Sequence, residues 1–152
     1  MRTGGALIAL SLALSPATPG VAQGLRDCDT FEANARNLVF PVDANTRSFA
    51  NGAVRFITLD TGGEPACCST HLMVLLPDPE EPFDICRLIS HRDSLGFTGL
   101  SLDRADAGYD PARGLRVAIP GVVQDGSGPR PLTLTVGVNQ QTGVVTADTA
   151  PR

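Results

Sequence analysis

LTLTVGVNQQTGVVTA, Leu132–Ala147, alternates with period two on both sides of a turn. Leu132, Leu134, Val136 and Val138 share one face, and Thr133, Thr135 and Gly137 the other. Successive side chains of a strand point to opposite sides of a sheet, so this pattern predicts a half-buried strand. NQQTG (Asn139–Gly143) then reverses the chain into VVTA, a hairpin with a glycine-containing loop.

The same grammar extends in both directions. Short runs rich in Val, Ile, Leu and Thr fall at Leu38–Val42, Ala53–Leu59, Ser69–Leu76, Phe83–His91, Gly96–Leu102, Leu115–Ile119, Leu132–Val138 and Gly143–Ala147. Gly, Pro, Asn and Asp punctuate them. The gaps are too short for the crossover helices that a parallel sheet needs. The chain is therefore expected to be all-β, an antiparallel sandwich or barrel of about 7–8 short strands. Asp29, with Glu32 three residues on, reads as a capping box for one short N-terminal helix over 30–37.

The first 22 residues read as a cleaved secretory signal peptide. Arg2 supplies positive charge, ALIALSLAL (Ala6–Leu14) is a short apolar run, and SPATPGVA (Ser15–Ala22) ends in small residues. The apolar run is far shorter than the roughly 20 residues that span a bilayer, so no membrane span is expected. Residues 23–152 then form one β-rich domain. All 12 basic residues are arginine, which we read as bacterial coding bias and hence a periplasmic or secreted address. Net charge is -4. There is no basic face for nucleic acid and no polybasic segment for anionic lipid.

An oxidising compartment makes the four cysteines, Cys28, Cys67, Cys68 and Cys86, a disulfide framework. Adjacent Cα atoms lie about 3.8 Å apart, below the usual disulfide window of about 4.4–6.8 Å. On a strand the two neighbours would also face opposite ways, so Cys67 and Cys68 are expected to bond different partners, Cys28 and Cys86. A hairpin around PDPEEP (Pro77–Pro82) with Leu76 opposite Phe83 argues against that pairing. It puts Met73 opposite Cys86 and leaves Cys68 about 17 Å too far along the strand, so the alternative is a Cys28–Cys86 bridge with Cys67 and Cys68 left to each other. The expected core face of this hairpin is Leu72, Val74, Leu76, Phe83, Ile85 and Ile89.

The opposite face carries His71, Met73 and Cys86, a soft ligand set that suits copper if the thiol is free. The bland alternative is packing for Met73 and a hydrogen bond for His71, and no metal or other cofactor is assigned. A redox role lacks the two-residue spacing and helix N-terminus of thiol oxidoreductases. No Gly-x-Ser-x-Gly elbow, zinc-protease motif or phosphate loop occurs. DRADAGYD (Asp103–Asp110) matches a calcium loop poorly and reads as a turn-rich connection, with Tyr109 closing the core.

These readings converge on an exported non-catalytic domain that binds a protein, a peptide or an envelope component, an inhibitor of a secreted hydrolase being one form. Loops such as PDPEEP and DRADAGYD would supply contacts. Periplasmic copper handling or thiol redox chemistry is the first alternative, and a small carboxylate-dependent enzyme the second.

Overall fold

In the computed structural model, residues 24–63, 67–92 and 95–152 are described. The expected leader, residues 1–22, lies outside them. The first sheet contains β1 (Gly24–Asp27), β2 (Thr46–Phe49), β3 (Val54–Asp60), β4 (Thr70–Pro77) and β5 (Asp84–Ser90). The second contains β6 (Gly99–Leu100), β7 (Asp106–Asp110), β8 (Gly114–Asp125), β9 (Gly128–Asn139) and β10 (Val144–Pro151). The first sheet runs β1-β5-β4-β3-β2. The second runs β10-β9-β8, with β6 and β7 both along the far edge of β8. Every strand pairing in both sheets is antiparallel.

Alternation explains the core. Val54, Phe56, Leu72, Val74 and Ile89 from the first sheet pack in one cluster with Leu115, Val117, Ile119, Leu134, Val136 and Val138 from the second. Full burial of such side chains stabilises by about 1.5–3 kcal/mol each. The opening hairpin forms as expected, with Val138 opposite Val145 and Gly143 at φ 69° in the turn.

Three expected features change. Among the described residues ten strands stand where seven or eight were expected, because β1, β2 and β7 carry no alternating apolar pattern, while Leu38–Val42 gives only a bridge from Leu38 to Leu59. The helix over 30–37 shrinks to a 3-10 turn, Ala35–Asn37, capped by Asn34. There the Asn37 amide donates to the carbonyls of Phe31 and Glu32 at 2.8 and 3.0 Å, taking acceptors a helix would use. In the β4–β5 hairpin, Leu76 faces Ile85 and not Phe83. This two-residue offset keeps every side chain on its expected face, since only an odd shift inverts a strand. It moves Phe83 into the loop, where it is 75% exposed.

The turns share one device. At the ends of β3, β7, β8 and β9, and just beyond β4, the side chains of Asp60, Asp110, Asp125, Asn139 and Asp78 accept the amide N–H two residues on. Such Asx turns imitate a backbone turn and fix the reversal.

The chain passes from the first sheet to the second through residues 95–100. Gly96 and Phe97 donate to the carbonyls of Cys68 and Thr70, and Thr98 donates to Val122. A Cβ on Gly96 would lie 2.5 Å from both the Cys68 and Thr70 oxygens. Those atoms are backbone and cannot swing away. Gly96→Ala should therefore cost about 1–3 kcal/mol, as overpacking does. Equilibrium urea unfolding checks this, and an unchanged midpoint would contradict so tight an approach.

Candidate functional site

Cysteine pairing follows from β1. Its register against β5 puts Asp27 opposite Arg87, and the next pair along is Cys28 and Cys86. Their Cα atoms are 5.6 Å apart and the sulfurs are bonded. Cys67 and Cys68 are bonded to each other. The expected pairing of Cys67 and Cys68 with different partners is thus corrected: β1 consumes both distant cysteines. Cys67 is exposed and Cys68 buried at the approach to β4.

The soft ligand set is not assembled either. His71 and Met73 share a sheet face, but Met73 stands opposite Leu88, and Cys86 opposite Leu75. The Cys86 sulfur is spent in its bridge. Among the described residues no three His, Cys, Asp or Glu side chains converge as metal ligands do.

His71 belongs to a buried polar network on the outer face of the first sheet. Here Leu59, Leu88, His71 and Ser90 are enclosed, with Ser90 0% and His71 1% exposed. The segment 28–45 returns across this face, Glu32 reaching Arg26 at 3.1 Å and Leu38 bridging to Leu59. Arg26 donates to Ser90 Oγ at 2.9 Å, and Ser90 Oγ lies 2.8 Å from His71 Nδ1. The serine oxygen thus accepts from the guanidinium and shares a second hydrogen bond with the imidazole.

A serine beside a histidine invites comparison with a hydrolytic pair. A nucleophile must reach substrate, and Ser90 has no exposed surface. Its oxygen is already held between a guanidinium and an imidazole. The network is therefore a way of burying Ser90 and His71 with hydrogen-bond partners present.

Electrostatics agree with that role. Burial pushes the His71 pKa below its usual 6.5, with the Arg26 charge adding to the effect and Glu32 and Asp60 opposing it. Burial alone would raise the Glu32 carboxyl, but hydrogen bonds from its own amide and Thr30, with the Arg26 charge, hold it below 4.5. Asp110, from the expected calcium segment, is held below 3.8 by the amides of Ala112 and Arg113. That segment forms a 3-10 turn, Leu102–Arg104, and then β7, so its acids do not surround a common point. Tyr109, expected to close the core, is 68% exposed.

A separate concavity lies on the outer face of the second sheet. Arg116 on β8 has Gly108 of β7 on one side and Gly137 of β9 on the other, with Thr146 of β10 beyond. The next row is Asp106, Ala118, Thr135 and Asp148. Small residues around one long side chain leave a depression of about 680 Å³, lined by Arg113, Arg116, Thr135, Asn139, Thr146 and Asp148 among others. A Cβ on Gly137 would meet the Thr146 hydroxyl at 2.5 Å, so glycine keeps this floor low. Sequence reading missed the face because its signal is pairing across β7, β8, β9 and β10, which no single strand displays.

Two outcomes follow from the buried elements. Replacing Cys28 and Cys86 together by serine should cost about 2–5 kcal/mol of unfolding free energy, and a guanidinium titration yielding less than that would leave the bridge without structural weight. His71 binds its proton more weakly folded than unfolded, so its contribution is complete above about pH 6.5 and declines as pH falls. Unfolding midpoints at pH 8 and pH 5 should therefore differ less in His71→Gln than in the unsubstituted protein; equal differences would remove His71 from this linkage.

No known protein family, curated protein or solved structure matches the chain, so its function is argued from its own chemistry.

Proposed function

We propose that the chain is an exported, non-catalytic binding domain. The outer face of its second sheet, centred on Arg116, takes a carboxylate-bearing segment of a protein or peptide partner. The observation that carries this reading is the depression of about 680 Å³ lined by two exposed arginines, Arg113 and Arg116. An arginine fork accepts a carboxylate through paired hydrogen bonds, and hydroxyls and amides such as those of Thr135, Thr146 and Asn139 suit a peptide backbone.

Export rests on the leader pattern of residues 1–22, on residues 23–152 as the mature domain, and on two disulfides, which persist in oxidising compartments. Among the described residues no helix is long and apolar enough to cross a membrane. Absence of catalysis is supported by the enclosure of Ser90 and His71. The β4–β5 loop, exposed over Pro79–Phe83, lies beside the β9–β10 turn, where a Cβ on Gly143 would approach Pro79 at 3.4 Å, and could add contacts of its own.

A displayed library of random peptides, selected on the purified protein, tests the reading. Enriched peptides should carry Asp or Glu and bind Arg116→Glu at least tenfold more weakly. Arg55→Ala on the other sheet should leave their affinity unchanged. Peptides indifferent to Arg116→Glu would move the site off this face.

A further inference from the structure

The edges of the two sheets differ in how well they are closed to another strand. β1 and β2 are four residues long, β6 two and β7 five. Short strands make poor templates for further pairing. β10 is different. It has eight residues, VVTADTAP, with no basic side chain and no proline before Pro151. It lies at the end of its sheet with β9 as its partner. Its one charge is Asp148, and long edges with so little charge and no internal proline are the ones that pair with another chain.

We infer that β10 pairs antiparallel with β10 of a second copy of this chain, about a twofold axis through Ala147. The register follows from face matching and charge. A twofold axis perpendicular to the sheet keeps outer faces outer only if it passes through a residue, since side chains alternate. Axes through Ala147 and through Asp148 each align seven residues of the strand. The Asp148 axis would set two carboxylates directly opposite each other, which is destabilising.

The Ala147 axis sets Asp148 opposite Thr146 of the second copy, where the hydroxyl can donate to the carboxylate. It also pairs Val145 with Thr149 and Val144 with Ala150. Val144, the one large hydrophobic residue of the strand left 53% exposed, gains an apolar neighbour. Isologous contacts of this kind close at two subunits.

The pairing has a functional consequence, which rests on the binding reading above. Val144, Thr146, Asp148 and Ala150 also line the depression around Arg116. Joining two copies along β10 therefore merges two depressions into one sheet face that carries Arg113 and Arg116 of each copy. Such a face takes an extended partner with two acidic points, or two partners at once, with the gain in avidity that linkage brings.

Sedimentation equilibrium of the purified protein at near-physiological salt, over a concentration series, tests the pairing without any ligand. The protein should associate to a dimer. Thr146→Asp, which puts a carboxylate opposite Asp148 twice, should weaken dimerisation roughly tenfold. Thr146→Lys, which puts an ammonium there, should strengthen it. The same two changes at Ser48, exposed on the other sheet, should leave dimerisation as it was. A monomer at every concentration overturns the inference, as do equal responses at Thr146 and Ser48 or a dimer indifferent to both Thr146 changes. If the dimer stands and Arg116→Glu has no effect on selected peptides, only the binding face is lost.

Discussion

Everything in this molecule depends on burying one side of each sheet against the other. The inward rows, Phe56, Leu72 and Val74 on one layer and Val117, Leu134 and Val136 on the other, form one apolar cluster. Apolar area removed from water is the dominant favourable term in folding, and here it is collected by period-two alternation. That periodicity sets a rigid rule and a lax one. A strand cannot slip by one residue without turning its apolar row to water. A slip of two leaves the cluster's membership intact and changes only who stands opposite whom.

The legible parts of the fold are those written in alternation. β3, β4, β5, β8, β9 and β10 all bury residues from such runs, so their existence and facing follow from the letters alone. β1, GLRD, and β7, DAGYD, hold too few apolar residues to show a period and owe their conformation to the longer strands they pair with. β1 also decides the cysteines, because local strain and the β4–β5 hairpin say nothing of the strand that sets Cys28 against Cys86. Alternation puts His71 and Met73 on one face of β4, but the hydrogen bonds that join His71 to Ser90 and Ser90 to Arg26 link residues far apart in sequence. No local pattern announces them.

The acidic residues illustrate how composition can mislead about chemistry. Clustered aspartates invite readings as calcium ligands or catalytic pairs. In the structure Asp60, Asp78, Asp110 and Asp125 accept amide protons at turns. Asp27, Asp84 and Glu32 meet Arg87, Arg55 and Arg26. Hydrogen-bond donors favour the charged form of a carboxylate, so the amides of Ala112 and Arg113 hold Asp110, and the Ser127 hydroxyl and then its amide hold Asp125, below their ordinary range. These acids serve the geometry of the chain. On the outer face of the second sheet Arg116 stands between Gly108 and Gly137, and that contrast directs attention to this layer.

The bridge between Cys28 and Cys86 encloses the chain from the end of β1 to the middle of β5, with a sequence separation of 58. β2, β3 and β4 lie inside this covalent ring, whereas all five strands of the second sheet lie outside it. The two layers share a core but not a tether of the same kind. A cut in the segment 28–45 would leave both fragments attached to one molecule, while a cut in the β7–β8 or β9–β10 turn would release everything beyond it to non-covalent packing alone. The first sheet is thus the anchored half of the molecule, and the half that carries the candidate binding face is the one free to be remodelled without breaking the ring.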